Sequence, residues 1–167
     1  MDGKLWKRWG REDAARALAS YRGSNSVGAV DPFSIAASLG VKVVEGVLPN
    51  SIFGLLVRDA SGAVTVYLNK TESHLRKRLV CAHELGHFLQ QERLASSRYF
   101  RIDNYAQGQD VAEQAANEFA SSLLLPMEEV FAHVEDGKSG EEIALCFGVA
   151  PSVLQHRLEH LFTHSLD

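Results

Sequence analysis

The sequence predicts an α+β domain, and two observations predict it. A block of β-branched, alternating residues from Val41 to Asn69 is enclosed by segments with helical spacing and helical caps on both sides. The chain has 167 residues, 46% of them hydrophobic, which is enough apolar material for one core and too little for two independent ones.

Taken in order, an amphipathic helix is expected over about residues 12–21, ending in the Gly-Ser-Asn-Ser stretch that starts at Gly23. A second helix has clearer signals. Asp31 suits the N-cap, Pro32 the first helical position and Gly40 the C-terminal cap. Strands follow over residues 41–47, 51–59 and 63–69, the last two joined by a turn from Asp59 to Gly62. Asn69 and Glu72 have the spacing of a capping box for a long helix over about residues 70–92, and residues 93–109 read as a polar loop. Asp110 opens the next helix, which Pro126 stops. A short helix over residues 127–133 precedes a tail of two helices meeting at Gly148 and Pro151.

Net charge is -4, with 21 acidic residues against 17 basic ones, so no strong field points to nucleic acid or to an anionic membrane. Nor does any stretch approach the roughly eighteen apolar residues of a spanning helix. Cys81 and Cys146 lie apart in apolar, helical contexts without metal-binding spacing, and read as two buried thiols in a reducing compartment. The first residues are charged and no apolar stretch follows them, so a cytoplasmic location is expected.

His83-Glu84-Leu85-Gly86-His87 is an H-E-x-x-H sequence within the expected long helix. Residues four apart share a helix face, so His83 and His87 can both reach one Zn²⁺ ion at about 2 Å. Glu84 then stands beside the first ligand, placed to act on water as general base. A catalytic zinc needs a third protein ligand and an open fourth position. Glu113, one helix further on, is the best candidate, although Asp110 and Glu113 also have capping-box spacing. Asn117, one turn after Glu113, could fix the tautomer of a ligating histidine. Gly86 would let another element approach closely. Cys81 projects to a different face and reads as core. For a developing oxyanion, Tyr99, Tyr105, His74 and His133 are candidates that the sequence does not separate.

At these residues the chain resembles the ImmA/IrrE family of zinc metallopeptidases, with its R-F-T-x-A-H-E-L-G-H and E-x-x-A-N-x-F-A-x-x-L-L-x-P patterns. The first is met from Arg78 to His87, with departures only at Leu79, Val80 and Cys81. The second is met from Glu113 through Ala116, Asn117, Phe119, Ala120, Leu123 and Leu124 to Pro126. Asp31-Pro32 and Ile35-Ala36 to Gly40 extend the likeness upstream. The resemblance implies a thermolysin-like zincin core, the ligand set His83, His87 and Glu113 with Glu84 as base, and cleavage of a helix-turn-helix repressor. One compact domain is expected over residues 1–167, with a peptidase core over 1–135 and a helical tail over 136–167 packed on or appended to it.

The tail has the spacing of a helix-turn-helix at Ala144, Gly148 and Leu154. From Gly137 onward it has two cations, Lys138 and Arg157, against four acids, Glu141, Glu142, Glu159 and Asp167, for a net -2. DNA phosphate wants the opposite sign, so packing on the core or docking a protein is the better expectation. His156, His160 and His164 form a ladder at four-residue spacing that reads as a solvated helix face. Two rival functions remain: a zinc-binding regulator or scaffold in a repressor or toxin–antitoxin system without turnover, and a DNA-binding regulator acting through the tail.

Overall fold

Burial alternates along two strands joined by a tight turn, and that alternation fixes the sheet in the computed structural model, which describes residues 3–24, 29–94, 99–104 and 110–164. In β3 (Val64–Asn69), Val64, Val66 and Leu68 face the core while Thr65 and Tyr67 face outward. Its partner β2 (Ile52–Arg58) runs antiparallel, pairing fully buried Leu56 with fully buried Val66. Asp59 closes the turn by accepting hydrogen bonds from the Ser61 N–H and hydroxyl and from the Ala63 N–H, and Gly62 supplies the positive φ of 89°. β1 (Lys42–Gly46) adds to β3 in parallel, so the strand order is β1-β3-β2-β4.

The fourth strand corrects an expectation. β4 (Tyr99–Asn104) lies in the segment that reads as a polar loop and pairs antiparallel with β2, with a register shift between Ile52 and Gly54. Tyr99, Phe100 and Ile102 favour a strand, but Arg101, Asp103 and Asn104 and the polar residues on both sides give the segment the texture of a loop. Residues 95–98 and 105–109 lie outside the described residues.

The helices flank this sheet. α1 spans Gly3–Ser24, much longer than residues 12–21, because its packing face mixes types that hydrophobic periodicity overlooks. Trp6 and Ala14 are buried, Gly10 meets another helix, and Asp13 is buried against Arg93 at 2.7 Å. α2 (Pro32–Ser38) matches its signals: Asp31 accepts from the Phe33 N–H, and Gly40 at φ 72° lets Val41 N–H reach Ala36 O.

α3 (His74–Arg93) begins later than expected. Ser73 is its N-cap, accepting from Arg76 N–H, whereas Asn69 ends β3 and donates to the carbonyls of Leu48, Pro49 and Ile52. Asn69 is fully buried there: its NH₂ holds the β1–β2 connection, while its Oδ1 accepts from the Thr71 N–H and hydroxyl in the turn that precedes Ser73. α4 (Val111–Leu124) is capped by Asp110 and stops before Pro126, after which come α5 (Met127–Glu135), α6 (Gly140–Phe147) and α7 (Pro151–His164). α6 carries a complete capping box between Ser139 and Glu142 and ends at Gly148 with φ 63°. Its buried face is Ile143, Ala144 and Phe147, which turns Cys146 outward; that thiol is exposed, contrary to expectation, while Cys81 is fully buried.

Two buried arginines join the tail to the rest. Arg78 of α3 donates to Val30 O, Phe147 O and Gly148 O at 2.7, 3.2 and 2.9 Å. Arg157 of α7 donates to Glu118 of α4 at 2.8 Å and to the Ser122 hydroxyl at 2.9 Å. Among the described residues, no helix is long and apolar enough to cross a membrane.

Candidate metal centre

The two helices that carry the chemistry can touch because each offers a small residue at the crossing. A Cβ on Gly86 would stand 2.9 Å from the Ala116 Cα and 3.2 Å from its carbonyl oxygen, so only glycine lets α3 lie this close to α4. Gly10 serves α4 from its other side, where a Cβ would stand 2.5 Å from the Ala115 carbonyl oxygen.

At that crossing the three expected ligands converge. His87 Nε2 lies 3.1 Å from Glu113 Oε1, His83 Nε2 lies 3.2 Å from Glu113 Oε2, and the two imidazole Nε2 atoms are 3.1 Å apart. An ion held tetrahedrally about 2.0–2.1 Å from each donor would leave them about 3.3 Å apart, so the spacing fits a single small cation. Among the described residues these three make up a group of His and carboxylate ligands able to hold a metal ion, all of them buried. Two imidazoles and one carboxylate also match zinc's preference for nitrogen and oxygen donors.

The capping alternative for Glu113 resolves into a division of labour. Its backbone N–H is held by Asp110 Oδ1 at 2.8 Å, while its carboxylate is turned to the histidines. Asn117 Oδ1 lies 3.0 Å from His83 Nδ1. An amide oxygen only accepts, so the proton sits on Nδ1 and the Nε2 lone pair faces the cluster.

Glu84 has no solvent exposure and sits between α3 and the sheet. Its Oε1 comes so near β2 that a Cβ on Gly54 would be 3.1 Å from it. Cys81 stands apart from the ligand group, and burial above all, then Asp31 and Glu84, pushes its thiol up to about 12. It is core, as its helical position suggests.

The oxyanion candidates separate. His74 is exposed at the start of α3, nine residues and roughly 14 Å of helix rise before His83. His133 is engaged by Lys138 Nζ at 2.9 Å and lies edge-on to Phe147, on the α5–α6 side. Tyr105 lies outside the described residues; Tyr99 opens β4, and its side chain is likewise outside them. Of the histidine ladder, His156 is exposed and His160 half-buried.

Sequence reasoning passed over two residues at this site, Gly54 and Gln90. A lone glycine inside a strand is a signal of close approach or of a bulge, and Gly54 adjoins the β2 register shift. Gln90 carries a weaker signal, an amide three residues past His87 on the ligand-bearing side of α3.

Over residues 36–159 the chain matches a peptidase family described as the IrrE N-terminal-like domain, and it belongs to that family. It is 32% identical over 117 residues to the protein named metallopeptidase ImmA from Bacillus subtilis (strain 168). That alignment takes in 67% of this chain and 66% of the relative, so the chain spans slightly less than two thirds of the relative's length.

Proposed function

We propose that this protein is a zinc-dependent endopeptidase in which His83, His87 and Glu113 hold the ion, Asn117 orients His83 and Glu84 is the general base. The observation that carries the reading is the meeting of three buried donor atoms from two helices, within a chain of a peptidase family. A zinc ion held there supplies Lewis acidity and lowers the pKa of water toward neutrality. Glu84 takes a proton from water on its carboxylate and later gives it to the leaving amine. Burial keeps that carboxylate among few competing waters.

An extended peptide has a place to lie. Gly54, beside Glu84, pairs with Asp103 of β4, and β4 is the last strand of the sheet, with no strand on its outer side among the described residues. A substrate segment adding there would extend the sheet by one strand, about 10 Å from Gly54. We further propose that the substrate is a helix-turn-helix repressor or antitoxin-type partner and that the enzyme works in the cytoplasm. Two cysteines without a disulfide are in keeping with a reducing compartment. The tail is ill suited to phosphate: Arg157 is buried against Glu118 and Lys138 is engaged with His133. It serves instead as a packed part of the domain.

The test is incubation of the zinc-loaded protein and its Glu84→Gln variant with helix-turn-helix repressors. Wild type should cleave one, while the variant binds zinc equally and leaves the repressor intact. Equal cleavage by both, or none by wild type, would overturn the reading.

A further inference from the structure

The contacts between α3 and α4 form an antiparallel ladder. His83 meets Asn117, Gly86 meets Ala116, His87 meets Glu113, and the last rung is Gln90 with Ala112. Gln90 is 5% exposed, and its Nε2 donates to the Ala112 carbonyl oxygen at 3.1 Å. That carbonyl directly precedes Glu113, whose own N–H is held from the far side by Asp110. The single peptide group that joins Ala112 to Glu113 is thus gripped at both ends, its carbonyl from α3 and its N–H from the helix cap.

We infer that Gln90 is a positioning residue for the metal centre: its amide fixes the register of the first turn of α4 against α3 and so sets the reach of Glu113 to the two histidines. The inference rests on the metal reading above. The chemistry of the side chain favours this role over a simple packing one. Gln90 Oε1 is buried with no hydrogen-bond partner among the described residues, so half of the amide is matched and half is not. Such a group adds little to folding stability, and an apolar side chain of the same length would fill its space as well. A ligand's backbone, by contrast, gains from a fixed hydrogen bond, since residues that orient ligands typically govern about 10–100-fold in metal affinity.

The test uses the full chain, stripped of metal, with zinc affinity measured by competition with a chromogenic chelator and stability by thermal unfolding of the metal-free form. Gln90→Met keeps length and volume and removes the donor. It should melt at or above the wild-type temperature without metal and yet bind zinc about tenfold or more weakly. If it does not fold, Gln90→Leu, which fills most of the space and has no donor and no charge, is read in the same assay. Zinc affinity within twofold of wild type in a folded variant overturns the inference while leaving the metal reading standing. So does a large loss of metal-free stability with unchanged affinity, which would mean packing. Wild-type protein that binds no zinc overturns both.

Discussion

Gly86 and Ala116 face each other across the α3–α4 crossing at a separation that admits no side chain on the first, with 2.9 Å between a would-be Cβ and the Ala116 Cα. In an exposed helix, Gly→Ala stabilises by about 1 kcal/mol. Here the obstacle is backbone, which cannot step aside, so Gly86→Ala should destabilise the protein by about 1–3 kcal/mol, as overpacking does. Because the same crossing sets the distance from His83 and His87 to Glu113, zinc affinity should fall with it. Urea unfolding and chelator competition measure the two effects; a more stable variant with undiminished affinity would contradict the geometry.

Asn117 acts on His83 through its acceptor oxygen, 3.0 Å from Nδ1. Asn117→Ala frees the ring to rotate and to change tautomer, and zinc affinity should drop about 10–100-fold. Asn117→Asp, which keeps an acceptor in place, should retain most of the affinity. If both variants bind zinc alike and like wild type, the contact does not orient the ligand.

The convergence of His83, His87 and Glu113 was legible in the sequence because helix geometry turns spacing into position: residues 83 and 87 must share a face, and a carboxylate on the next helix had few competitors. Strands β1, β2 and β3 were legible through their β-branched alternation. What escaped depends on contacts between distant segments. β4 pairs with β2, a segment about fifty residues away, and its three strand-favouring residues are interrupted by Arg101 and followed by Asp103 and Asn104. The first half of α1 packs through Trp6, Gly10 and a buried Asp13, whose partner Arg93 is eighty residues away. Asn69 fits the pattern of a cap, and only the chain crossing at Leu48, Pro49 and Ile52 shows where its amide is used.

Gly54 should matter for turnover and not for metal binding. A Cβ there would meet Val80 Cγ1 at 2.6 Å and Glu84 Oε1 at 3.1 Å, so Gly54→Ala displaces the Glu84 carboxylate, the proposed base, and crowds the core. The double variant Gly54→Ala with Val80→Ala removes the first conflict and keeps the second. It should bind zinc like wild type while its kcat falls about tenfold or more, since a general base contributes about 10²–10⁴-fold and works only when aligned. Wild-type kcat in that double variant would show that Glu84 does not depend on the space Gly54 leaves.

The buried pair of Glu118 and Arg157 ties the tail to the helix that carries Glu113, and it makes that attachment sensitive to acid. Burial by itself would raise the Glu118 carboxyl, but the hydrogen bond and charge of Arg157, with Arg11 and Ser122, outweigh it and hold the carboxyl below its ordinary value of 4.5. A carboxylate lowered in the folded state contributes fully above its unfolded pKa and loses that contribution as pH falls through the folded one. Stability should therefore be level in this respect above about pH 5 and decline on acidification below the ordinary glutamate range. Glu118→Gln should flatten that part of the profile in metal-free protein. Arg157→Met, which leaves the buried carboxylate with only the half-exposed Arg11 and the Ser122 hydroxyl, should cost about 1–3 kcal/mol near neutrality, and adding Glu118→Leu should recover much of it. Urea unfolding of the three variants across pH 3.5–7 reads both effects, with about half a unit between points being enough to locate the decline. An unaltered acid slope in Glu118→Gln would place the acid sensitivity elsewhere.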